Sequence, residues 1–258
     1  MVNWDDVKTA LYPIPDFEDL SRRWRDAYAY DFVSWHYNPT LPEMAEYTDR
    51  LLNGDTRNRY AEWARGLMRN FHQLDGYGIK NVRDLVGSVD TQEMFEGFCL
   101  QTGMKPADLV NVLKYLVYWF IPSKKYLREL VKKEPRYFKA VERLRLAGLR
   151  YNLDLIEQGI TPDARRALAE STGVHEDLIN GLAHRADFSR MPWASAATIS
   201  NIIGAGYGSI ARLAAADLEQ VSEDFFRYGD SIHKNLKLGN EIENSHRIAK
   251  IVPRILVD

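Results

Sequence analysis

Three groups of residues have types and spacings that could do chemistry. The first is a basic run holding Lys124, Lys125, Arg128, Lys132, Lys133, Arg136 and Lys139. If the run is helical, Lys124, Arg128 and Lys132 fall at i, i+4 and i+8 and form one cationic stripe, with Leu127, Leu130 and Val131 on the packing side. Such a stripe suits nucleic acid, an acidic protein or an anionic ligand. A solvated face paired with nearby acids would read the same way. The second group is the aromatic N-terminal stretch with Trp24, Tyr28, Trp35, His36 and Tyr37, which could line a ligand pocket or a partner-binding face. Packing of the first segment onto the rest of the chain would use the same aromatics. Within it Asp31, His36, Glu43 and Glu46 could form a metal or acid–base set. The third group, Gly204-Ala205-Gly206-Tyr207-Gly208, suggests a nucleotide loop. It follows a helical run rather than a strand, so the pattern predicts a helix stop.

Other chemistry is thinly represented. No two of the six histidines lie at helical i, i+3 or i+4 spacing. His72, beside Phe71, is expected in the core or at its boundary. The single cysteine, Cys99, excludes an internal disulfide and any multi-cysteine metal site, and it reads as a small buried hydrophobe. No catalytic motif is found, which leaves enzymatic activity open. The residues imply no cofactor and no metal.

The elements that must position these groups repeat. Residues 78–104 align without a gap with residues 148–174 at an offset of 70. Gly78 meets Gly148, Asp84 meets Asp154, Thr91 meets Thr161 and Gly103 meets Gly173. A partial third copy begins at Gly206. Thr161-Pro162-Asp163 predicts a helix start and Gly173 its end. Apolar residues at helical spacing mark further helices at 60–74, 109–120 and 242–251, and Ser123 to Pro135 is expected to be one more. The fold class expected is all-α: tandem repeats of short helices behind an N-terminal helical segment. The boundaries expected are 1–58, 59–135 and 136–258.

Pro192 to Ile199, Ile203 to Tyr207 and Leu213 to Glu219 together resemble the helix-hairpin-helix group. The Thr161–Gly173 segment is similar to an uncharacterised domain-of-unknown-function family in that group. The resemblance covers residues 145–225, extends weakly to 75–131, and leaves 1–58 uncovered. It implies duplex DNA binding through glycine-containing hairpins. The corresponding hairpins here, Ile121-Pro122-Ser123 and Met191 to Ser195, hold no glycine, which argues against phosphate capture by them.

The formal charge of −2 conceals a strong asymmetry. Residues 121–150 carry +7, whereas 151–230 carry −6 and 1–60 carry −4. With 45% hydrophobic residues in 258, the chain can bury a normal core. No apolar run is long enough to span a membrane, and the first residues lack the pattern of a signal peptide. A cytoplasmic, non-enzymatic binding or scaffold protein is expected, with a protein or anionic surface as partner. The alternatives are a nucleic-acid-binding protein using 121–150 and a small-ligand protein or enzyme using the aromatic segment.

Overall fold

The structure is a computed structural model that describes residues 2–54, 60–237 and 239–257. It is all-α, with no strand among the described residues. The chain forms two compact units, 1–123 and 124–258.

The first unit contains α1 (Trp4–Leu11), α2 (Phe17–Tyr28), α3 (Asp31–His36), α4 (Leu41–Leu52), α5 (Ala61–Gly76), α6 (Val82–Ser88), α7 (Gln92–Thr102) and α8 (Pro106–Tyr115). A π-helical turn, Leu116–Phe120, extends α8. α4 packs along α5, and α1 packs on α8. The core is aromatic. The Phe17 ring lies 5.0 Å from Phe95 and 6.3 Å from Trp24.

The second unit contains α9 (Leu127–Leu130), α10 (Phe138–Leu146), α11 (Asn152–Gln158), α12 (Pro162–Thr172), α13 (Glu176–Phe188), α14 (Ala196–Gly204), α15 (Ile210–Ala215), α16 (Leu218–Ser231) and α17 (Glu241–Ala249). Its C-terminal segment is held by buried arginines. Arg190 pairs with Asp187 and donates to the Pro253 carbonyl at 3.1 Å. Arg165 donates to the Val257 carbonyl at 2.9 Å.

The offset seen in the sequence recurs in the elements. α6, α7 and the start of α8 reappear 70 residues later as α11, α12 and the start of α13. Thr91 and Thr161 cap α7 and α12 by accepting the N–H of Met94 and Ala164, each at 3.2 Å. The helices before these pairs end in one way. Gly78, Gly148 and Gly206 take φ of +86°, +91° and +101°. Just beyond them, Ile79, Leu149 and Tyr207 donate back to Leu74, Leu144 and Ile202 at 3.3, 2.9 and 3.2 Å. This satisfies carbonyls that a helix end leaves open. An added Cβ at Gly148 would meet no atom within 4 Å, so only the left-handed backbone opposes a side chain there. Gly148→Ala is therefore expected to cost about 1–2 kcal/mol. Urea unfolding would show this as a lower midpoint with unchanged slope, and an unshifted midpoint would mean that the turn relaxes freely.

The repeat extends further toward the N-terminus than the sequence alignment does. Thr40 forms an antiparallel bridge with Asn81, and Tyr126 forms one with Tyr151, which lies 70 residues beyond Asn81. Leu41 donates to the Lys80 carbonyl at 3.2 Å, and Leu127 donates to the Arg150 carbonyl at 3.0 Å. The entry to α4 is thus the counterpart of the entry to α9. Backbone pairing carries this match, with little side-chain identity behind it.

The helix expected from Ser123 to Pro135 does not form. α9 is a single turn, because the backbone of Lys125 to Leu127 is drawn into extended pairing with Arg150 to Asn152. His72 also departs from expectation. It lies on the exposed side of α5, while its neighbour Phe71 is buried.

A basic cleft as candidate functional site

With α9 reduced to one turn, Lys124, Arg128 and Lys132 cannot form a helical stripe. The structure disperses the seven basic candidates. Lys124 lies over the Tyr151 ring at 4.4 Å. Lys125 turns inward, where its Nζ donates to the Ser189 carbonyl at 2.7 Å, and burial pushes its pKa down. Asn152 braces this corner: its Oδ1 accepts from the Lys125 N–H at 2.7 Å, and its Nδ2 donates to Ser189 Oγ at 2.9 Å. Arg128 is exposed and helps hold the Glu142 carboxyl below its usual range, behind the larger effect of Arg145. Lys139 is also exposed.

The remaining three, Lys132, Lys133 and Arg136, are brought together on one wall of a cleft of about 690 Å³. Val131 to Lys133 turn after α9, and a 3₁₀ turn at Pro135–Tyr137 leads into α10. This wall faces α14 along its length, from the N-cap Ser195 to Gly204. Tyr228 of α16 and Lys234 beyond it complete the lining. Gly204 permits this arrangement, since an added Cβ would stand 2.2 Å from the Tyr228 ring.

Arg185 of α13 forms the floor. Its Nε and Nη2 donate to the two oxygens of Glu134 at 3.0 and 2.5 Å. Ser200 Oγ donates to Glu134 Oε1 at 2.8 Å. Two guanidinium groups lie over the Tyr137 ring, Arg185 at 4.9 Å and Arg136 at 4.7 Å. The one carboxylate lining the cleft among the described residues is therefore committed to the floor. Lys132 is shared with Glu129 at 3.5 Å. Lys133 and Lys234 have no carboxylate within ion-pair distance among the described residues. Five cationic side chains thus face one neutralised acid.

The aromatic candidates are not brought to one surface. Trp24 and Tyr37 are buried in the core of the first unit. Tyr28 donates its hydroxyl to the Tyr37 carbonyl at 2.7 Å, and burial raises its pKa. Trp35 and His36 face outward. Glu43 is used locally, accepting the Thr40 N–H at 2.8 Å to cap α4. Among the described residues no three His, Cys, Asp or Glu side chains gather where they could hold a metal ion. Cys99 is buried, and burial with the nearby Glu96 pushes its thiol up to about 11.

Sequence reasoning missed Arg185, Asn201, Tyr228 and Lys234. They lie 49 to 98 residues beyond Arg136, and no local spacing links them to the basic run. The only signal was the absence of acids on the Ser189–Arg212 stretch that holds Asn201, and nothing local marks the other three.

Residues 137–241 match a family described as a domain of unknown function (DUF4332). The matched region holds Arg185, α14, Tyr228 and Lys234, while Lys132 to Arg136 lie just ahead of it. Neither the curated proteins nor the solved structures provide a match. Among the described residues no helix is long and apolar enough to cross a membrane.

Proposed function

We propose that this chain is a cytoplasmic, non-enzymatic binding protein on helix-hairpin-helix-like repeats, whose second unit takes an anionic partner. The cleft carries this reading: its only carboxylate among the described residues is already paired with Arg185, which leaves Lys133 and Lys234 facing open space. An uncompensated cluster of cations in a concave wall attracts anions and concentrates their field. The helix stops recurring at three glycines support the repeat, and the single free cysteine fits a reducing compartment.

The test is titration of the whole chain with inorganic polyphosphate. Binding is expected at low salt, falling roughly a hundredfold or more between ~50 and ~200 mM. Absence of binding at low salt would remove the proposal.

A second reading, single-stranded nucleic acid, has one observation in its favour. Exposed Tyr126 and half-buried Tyr151 form a ring pair 4.7 Å apart, with Lys124 over the Tyr151 ring. Exposed rings beside cations form a stacking platform for bases. This reading requires a labelled oligothymidylate to bind, and Tyr126→Ala to weaken that binding without affecting polyphosphate.

A further inference from the structure

We infer that the cleft is a site for a small organic phosphomonoester of about mononucleotide size. This rests on the anion-binding reading and narrows it. Four observations converge. Ala196 and Ala197 occupy the first turn of α14 and line the cleft. Their N–H groups are among those a helix start leaves without partners, and methyl side chains leave them open to approach. The preceding hairpin holds no glycine, yet Trp193 takes the left-handed backbone (φ +63°) that glycine favours, so the chain still turns directly into α14.

The second observation is independent of the helix. Asn201 lines the cleft, is 7% exposed, and its side-chain amide makes no hydrogen bond among the described residues. With no protein partner, the amide of this nearly buried residue is left to solvent in the cleft and is open to a ligand there. It offers a donor and an acceptor one turn along α14 from Ala197.

The third is charge. Lys133 and Lys234 reach the cleft from two separate elements, so they can close on an anion from opposite chain segments. The fourth is size and polarity. At about 690 Å³ the cleft falls within the ~300–1,000 Å³ range of small-molecule sites. Leu130, Ile203 and the Tyr228 ring supply apolar wall that a bare phosphate would not use. The phosphate end therefore belongs with the lysines and the α14 amides, and the organic part belongs against Tyr228 and Ile203.

Calorimetric titration of the whole chain with AMP, phenyl phosphate and adenosine tests this. AMP and phenyl phosphate should bind and adenosine should not. Lys133→Gln with Lys234→Gln should weaken AMP by about tenfold or more, as expected for charge-assisted contacts. Lys139→Gln, outside the cleft lining, should leave AMP binding unchanged. Asn201→Asp, which places a carboxylate in the cleft, should abolish AMP binding in protein that retains its helical circular dichroism. Adenosine binding as well as AMP would overturn the inference. So would a lysine double variant that binds AMP normally. If polyphosphate binds in a salt-dependent way and no monoester does, this inference falls and the anion-binding reading stands. If neither binds, both fall.

Discussion

Arg185→Met should lower the free energy of unfolding by about 3–5 kcal/mol, the scale for removing one partner of a buried ion pair. The Arg185 side chain is 4% exposed, and its guanidinium engages both oxygens of Glu134. Its loss leaves a carboxylate that is only 19% exposed, with Ser200 at 2.8 Å and Arg136 at 3.6 Å as remaining partners. The same change should weaken polyphosphate binding. Glu134 would then offer an uncompensated negative charge to the space that the anion must enter. Adding Glu134→Gln should restore much of both losses, because the charge left behind is then removed. Urea unfolding followed by circular dichroism measures the first effect, and titration measures the second. A stability loss below about 1 kcal/mol, typical of exposed pairs, would mean that the floor is solvated. That result would also withdraw the claim that Glu134 is neutralised.

Trp24→Ala should cost about 3–5 kcal/mol, whereas Trp35→Ala should change stability by less than ~0.5 kcal/mol. Trp24 is 2% exposed, packs edge-on against Phe17, and donates its indole N–H to Asp90 at 2.9 Å. Truncation leaves a large cavity and removes a hydrogen bond from Asp90. Trp35 is 82% exposed. Side by side, the two variants separate core from surface within one aromatic segment. Equal and small effects would contradict the packing described for α2. Equal and large effects would show that Trp35 is covered in solution.

Local chemistry explains which features were legible. Threonine caps, proline in a first turn and glycine stops act within a few residues, so α7, α12 and the turns at Gly78, Gly148 and Gly206 follow directly from residue types. α9 was misread because its competitor is distant. Lys125 and Leu127 satisfy their backbone groups through Arg150 and Asn152, and that pairing outweighs the helical spacing of Lys124, Arg128 and Lys132. His72 was misplaced because Phe71, one residue away, points about 100° around the helix.

By itself the sequence determined the all-α class, the repeat at an offset of 70 and the concentration of +7 in residues 121–150, since periodicity, caps and composition are properties of neighbours along the chain. Only the tertiary structure decided what that charge faces. Folding buries Lys125, lends Lys124 to a tyrosine ring, and spends Glu134 on Arg185, 51 residues away. It also brings Asn201, Tyr228 and Lys234 to the wall opposite Lys133. A cleft forms where elements distant in sequence meet, and burial and pairing within it determine which charges stay available to a ligand.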